Sequence, residues 1–319
     1  MILEIGAAGI AAALAGGAWY GRGYSERASR AWPAEGRMID AGDARLHVLE
    51  AGDASAPRIL MIHGASANLR ELWAPLAADL ARDHRVIAYD RPGFGHSTRP
   101  RKHAHRIATQ ARLAAAVLRQ TGSGPAIIVA HSMGSAVALR LALEHPELVA
   151  GLVLVAPFTH PYPHQPAWWA RLAAVPMIGD VFSSAVVPCV GPTMARASVA
   201  NNFWPAQTPK NFYEDAGVGL VFRPSTFRAN ALDVCASKTE FAAQAPRYGE
   251  LLTPTIVISA EKDKIVSPKR HARALAAELQ SVELVTAPNT GHMPHRLRPD
   301  LVLSAVRRVG SMVSAPAER

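Results

Sequence analysis

Three short stretches of this 319-residue chain carry the side chains with the clearest chemical potential. In "AIIVAHSMGSA", residues 126–136, an apolar run of strand character ends at His131, and Ser132 follows just before helical spacing begins. Ala130 and Gly134 place small residues two positions either side of that serine. A sharp strand-to-helix turn needs small flanks there, and it leaves the serine Oγ exposed at the end of the sheet, with the next backbone N–H pointing into the same space. A pattern this short also fits an ordinary N-cap serine, so its meaning depends on partners elsewhere. A serine nucleophile needs a base. His292, in "NTGHMPH", directly follows Gly291 in the loop leaving the last predicted strand, and is preferred over His295 three residues on. The base needs an orienting carboxylate. Asp263, in "ISAEKDKIVSP", follows another predicted strand and is preferred over Glu261. The chain order is therefore Ser, Asp, His, each just beyond a strand. Such a set supports acyl transfer: the histidine takes the serine proton, the serine attacks a carbonyl, and water activated by the same histidine releases the acid.

A fourth stretch, "MIHGASAN", ends an early strand at His63-Gly64. The backbone N–H groups of Ala65 and Met133 are the candidate donors to a carbonyl oxygen as it gains negative charge. His63 has a structural alternative, as part of a glycine turn. In "YDRPGFGHS", residues 89–97, Asp90 is read as structural and not as the acid of the set.

The elements that must position these residues alternate in type. "RLHVLEAG", "RILMIHG", "RVIAYD", "AIIVAHS", "GLVLVAP", "TIVISAE" and "VELVTAP" read as strands, most of them nearly continuously apolar, as expected of strands buried on both faces of a parallel sheet. Helical spacing falls over Leu69–Arg82, before and after "AIIVAHS", over Pro268–Gln280 and from Pro299 to about Val313. Residues 159–250 break the rhythm. They are rich in proline and aromatic residues and are expected to fold as several short helices inserted between two strands of one sheet. The expected class is α/β, a mostly parallel sheet flanked by helices, with 37–158 and 251–319 as the core and 159–250 as a helical insertion.

Residues 1–36 stand apart. Ile5–Tyr20 is apolar, no Lys or Arg precedes it, and Arg22, Arg27 and Arg30 follow. A helix from about Ile2 to Tyr20, then a polar linker to about Asp40, reads as a membrane anchor with the main domain on the cytoplasmic side. The alternatives are a signal cleaved after Ala15 and a helix that packs on its own protein. The net charge of +9 suits anionic lipid, and no nucleic-acid-binding motif accompanies the scattered arginines. Cys189 and Cys235 have no metal or disulfide spacing and read as thiols. No metal or organic cofactor is called for, and oligomeric state is not legible.

With "HGASAN", "DRPGFGHS", "AHSMGS", "EKD" and "TGHM" in this order, residues 37–313 resemble the α/β-hydrolase family. The resemblance implies Ser132 as nucleophile, Asp263 as acid, His292 as base, Ala65 and Met133 as oxyanion hole, and 159–250 as a cap. Ala130 departs from the family's usual glycine. Serine at the nucleophile position points to esters; dehalogenases and epoxide hydrolases of this fold carry aspartate there. The apolar N-terminus is similar to membrane-bound monoacylglycerol lipase and phospholipase-like members, which implies lipid-like esters as substrates. A serine-dependent C–C bond hydrolase, a cofactor-free perhydrolase and a non-catalytic binder of hydrophobic ligands are the alternatives.

Overall fold

The computed structural model describes residues 2–314; Met1 and residues 315–319, the outer ends of the expected segments, lie outside them. Eight strands form one sheet in the order β1-β2-β4-β3-β5-β6-β7-β8. They are β1 (Arg37–Asp40), β2 (Arg45–Ala51), β3 (Arg58–Ile62), β4 (Arg85–Tyr89), β5 (Ala126–His131), β6 (Val149–Val155), β7 (Thr255–Ala260) and β8 (Val282–Ala287). β1 and β2 are antiparallel additions at one edge, and β4 through β8 run parallel.

Alternation along the central strands explains their unbroken apolar sequences. Leu60 and Ile62 of β3 face a core shared with helices Ile107–Gln120 and Met133–Glu144. Ile59 and Met61 face the opposite core, shared with helices Arg70–Leu80 and Pro299–Ser314. Successive side chains point to opposite faces, so a strand covered on both sides must be apolar at every position. The parallel strands end together, and the loops after β3, β5, β7 and β8 gather the candidate residues at one edge.

Residues 159–250 are helical, as expected, but two helices are long: Ile178–Phe203 and Pro224–Gln244. Among the described residues, Ile178–Phe203 is the helix long and apolar enough to cross a membrane by length and composition. Pro188 and Pro192 lie within it. Pro188 lies in the first turn after a π-helical segment, Phe182–Val186, where a missing N–H is tolerated.

Pro224–Gln244 fastens the cap to the core. Asn230 exchanges two hydrogen bonds with Ser66, at 2.7 and 2.9 Å. Asp233 accepts from Arg91 (3.1 Å) and Arg99 (2.6 Å), and Gln244 donates to the Ala136 carbonyl. Arg91 and Asp233 are almost fully buried.

The N-terminal segment differs from expectation. Its helix runs from Ile2 to Ala31, well past Tyr20, and β1 begins at Arg37, so the expected linker to Asp40 shrinks to a few residues. Its second half packs on the cap. Gly17 and Gly21 meet the backbone of Ala185 and Ser184 so closely that a Cβ at either would clash. The Tyr24 hydroxyl donates to the Gly219 carbonyl at 3.0 Å, and the Trp32 indole to that of Glu214 at 2.8 Å. Residues 21–31, which read as linker, continue this helix: Gly21 and Ala28 are buried on the cap side, while Arg22, Glu26, Arg27 and Arg30 face solvent. Trp19, by contrast, is 77% exposed. Both cysteines are free thiols.

Removing Asp233 strands Arg91 as a buried, unpaired cation. Asp233→Ala should lower unfolding stability by about 3–5 kcal/mol, read from urea titration. A loss below about 1 kcal/mol would show that the network does not hold the cap.

Candidate active site

Ser132 sits between β5 and the helix Met133–Glu144 with φ 50° and ψ −120°. A non-glycine residue there is strained by about 1–3 kcal/mol. Gly134 explains how the turn closes: a Cβ on it would collide with the carbonyls of Ile62 and His63 at the end of β3. The sharp turn forms with Ala130 in place, its methyl fully buried.

The structure brings Ser132, His292 and Asp263 together. His292 Nε2 lies 3.0 Å from Ser132 Oγ, and His292 Nδ1 lies 2.7 Å from Asp263 Oδ2. The other Asp263 oxygen accepts the backbone N–H groups of Ile265 (2.8 Å) and Val266 (2.9 Å). Burial pushes this carboxyl up, but the His292 ring and the two N–H groups outweigh it and hold its pKa below the ordinary carboxylate value. Glu261 is elsewhere, accepting from Asn289 N–H at 2.8 Å and pairing with Lys262. His295 is fully buried, its ring centroid 4.4 Å from that of His131, and neither ring nitrogen makes a hydrogen bond with a described residue.

Ala65 and Met133 flank the serine. A Cβ on Gly64 would stand 3.1 Å from Ser132 Cβ, which places the 64–65 turn directly against the Ser132 turn. Met133 is the first residue of its helix, so its N–H has no intrahelical partner, and no described residue accepts from Ala65 N–H.

The loop after β3 is held from below by Asp90. Its oxygens accept the N–H groups of Leu69 (2.9 Å) and His96 (2.8 Å), and Oδ2 lies 2.7 Å from His47 Nδ1. Asp90 is therefore structural, as the sequence suggests. So is His63. It accepts from Arg91 N–H, donates to the Gly64 carbonyl, and is pushed down to about 4 by burial, with Arg91 adding to the effect.

The cap closes the site; Ser132 and His292 are each 6% exposed. The Asn202 carbonyl, one residue before the end of the helix Ile178–Phe203, accepts His292 N–H at 2.8 Å. Phe203 and Phe212 pack with Met293, while Trp168 is 67% exposed and Trp169 stacks on Phe227. Most of the cap's aromatics thus serve its own packing. A small cavity lies beside Met133, lined by Ile107, Val137 and Phe241 and by the polar Gln110, Asp233 and Ser237.

Sequence reasoning missed the cap's grip on His292 N–H, the Asn230–Ser66 exchange and the role of Glu71, which accepts Gly64 N–H at 3.1 Å. No local pattern marks the first two, which join residues distant in sequence, and Glu71, though only seven residues from Gly64, is an ordinary acid in a first helical turn.

A model of the alpha/beta hydrolase fold family matches residues 57–299. A putative carbamate hydrolase RutD of Variovorax paradoxus (strain S110) is 30% identical over 249 residues, 77% of this chain and 89% of that protein. A 2-(acetamidomethylene)succinate hydrolase of Mesorhizobium japonicum is 26% identical over 276 residues, 85% of this chain and 93% of that one. Among solved structures, a 2-hydroxy-6-oxo-6-phenylhexa-2,4-dienoate hydrolase from Rhodococcus sp. strain RHA1 superposes with a TM-score of 0.70 at 24% identity, covering 86% of this chain and 97% of that one. A thermophilic esterase from Thermogutta terrifontis does so with 0.68 at 21% identity, covering 88% and 100%.

The Asp90–His47 pair gives a pH-dependent prediction. Burial opposes both charges, but their mutual hydrogen bond and attraction lower the Asp90 pKa and raise that of His47. The Asp90 contribution is present above an ordinary carboxylate pKa and lost as pH falls through its depressed folded value. The His47 contribution is full below about 6.5 and lost as pH rises through its raised folded value. Asp90→Asn should therefore destabilise most at about pH 5–6 and less at pH 9, in urea titrations at both. A gap that grows with pH would contradict the assigned pair.

Proposed function

Within the α/β-hydrolase family, to which this chain belongs, we propose that it is a serine hydrolase cleaving carboxylic esters through an acyl-enzyme. The observation that carries this reading is the Oγ–Nε2 contact of 3.0 Å on a strained elbow, with Asp263 behind the histidine. Ser132 is the nucleophile. His292 takes its proton and later gives it to the leaving alcohol, and Asp263 fixes the Nδ1–H tautomer and stabilises the imidazolium. The N–H groups of Ala65 and Met133 receive the oxyanion. No step needs a metal or an organic cofactor.

The finer reading is a lipid-like ester met at a membrane surface. Its support is the apolar sequence of the N-terminal helix, the arginines at 22, 27 and 30, and the exposed Trp19. A second reading, hydrolysis of a small polar substrate at a C–N or C–C bond, is favoured by the activities named for the similar proteins.

Ser132→Ala should abolish fluorophosphonate labelling and lower ester turnover on the order of 10³-fold or more. Asp263→Asn should also lose several orders of magnitude, and Glu261→Gln much less. Near-wild-type turnover in Ser132→Ala would refute the nucleophile assignment.

The two substrate readings separate on a panel of long-chain glycerides in vesicles, short esters, ureido or carbamate acids and ring-cleavage dienoates. Preference for the glycerides, together with sedimentation of the protein on anionic vesicles, supports the lipid reading. Preference for the small acids overturns it.

A further inference from the structure

Glu71, His131 and His295 form a buried cluster behind the triad, at 5%, 2% and 0% exposure. Glu71 stands in the first turn of the helix Arg70–Leu80, and its Oε1 lies 3.0 Å from His131 Nδ1. Its other oxygen accepts Gly64 N–H at 3.1 Å. On the far side of the imidazole, Nε2 lies 2.9 Å from the carbonyl of His292. A carbonyl only accepts, so Nε2 carries a proton. Nδ1 is not aligned with Glu71 Oε1 as a hydrogen bond, but a carboxylate 3.0 Å away favours the charged ring, an imidazolium. The pKa directions agree. Burial opposes both charges, yet the attraction between the two groups raises His131 and lowers Glu71. Asp263 and His292 face His131, and Arg296 faces Glu71. His295 has no hydrogen-bond partner on either ring nitrogen, and burial beside the His131 charge keeps it neutral. It fills space against His131 without competing for Glu71.

We propose that Glu71 and His131 are positioning residues, a buried carboxylate–imidazolium strut that sets the catalytic base and the oxyanion loop in register with Ser132. Through Glu71 the strut fixes Gly64, one residue before the oxyanion donor Ala65. Through His131 it fixes the His292 carbonyl, while the cap's Asn202 fixes His292 N–H. The backbone of the base is thus clamped on one side by the core and on the other by the cap. A misplacement near 1 Å at such a site costs about 10²-fold in rate. The proposal rests on Ser132 as nucleophile and His292 as base.

The test compares Glu71→Gln, His131→Gln and His131→Asn with the wild type, in steady-state ester hydrolysis and in the labelling rate with a small fluorophosphonate. A glutamine amide reaches the position of Nε2 and an asparagine amide that of Nδ1, so only His131→Gln keeps a donor for the His292 carbonyl. Glu71→Gln and His131→Asn should lower kcat and labelling by about 10- to 100-fold, with KM within about twofold. His131→Gln should keep several times the rate of His131→Asn although both lose the ion pair and both melt earlier. Equal losses at position 131, or losses that follow Tm alone, would overturn the positioning role. So would stoichiometric zinc in the purified wild type, since the donor atoms of the three residues lie within 4.8 Å of one another. Wild-type labelling with unchanged labelling in all three variants sinks the strut alone. Absence of labelling in the wild type sinks the nucleophile assignment, and the strut with it.

Discussion

The structure turns on one constraint: Ser132 must hold a positive φ at the end of a fully buried strand. That backbone is unfavourable for any residue with a side chain, so its surroundings must over-determine it. Gly134 lets the new helix close against the β3 carbonyls, and the Ser132 N–H is taken by Val155 at the end of β6 at 3.0 Å. The apolar runs of β3, β5 and β6 follow from the same demand. A strained turn keeps its geometry only on strands too well packed to relax, and these three lie in the middle of the sheet with helices on both faces.

Given that turn, the remaining parts are loops that need outside support, and buried charge provides it. Asp90 organises the loop that carries Ala65, and Asp263 spends its two oxygens on His292 and on its own loop. Arg91 links the Gly64 carbonyl to Asp233 on the cap. Each buried charge is costly alone, and each has a partner from a different segment. The result is that loops far apart in sequence are registered to one another by polar contacts, while the sheet is held by apolar ones.

What was legible in the sequence divides along the same line. Strands such as "AIIVA" and the order Ser, Asp, His could be read because periodicity and strand-end position are local properties. The choices of Asp263 over Glu261 and His292 over His295 turn on positions two and three residues apart in the loops after the strands, and the geometry places the preferred members at hydrogen-bonding distance. Two things were not legible. Residues 21–31 read as a linker because the partner of their buried face, the cap backbone at Ser184, lies more than 150 residues away. Glu71 looked like any acid in a first helical turn.

The cap's attachments bear on how a closed site can work. The helix Pro224–Gln244 is tied by Asn230 to Ser66, next to the oxyanion loop, and by Asp233 to the buried Arg91. The Arg91–Asp233 pair is almost fully buried, which makes it costly to break at each turnover. The end of Ile178–Phe203 is tied to the site by one carbonyl on His292 N–H and by the Phe203–Phe212–Met293 packing. If substrate enters by moving part of the cap, the less costly motion is at this second helix, and it would release His292 N–H as it opened. His292 would then be fully clamped only when the helix returned, so closure and completion of the Ser132–His292–Asp263 geometry would be one event. The N-terminal helix packs on that same second helix through Gly17 and Gly21. Whatever holds that helix, at a lipid surface or against the protein, therefore acts on the part of the cap that reaches the base.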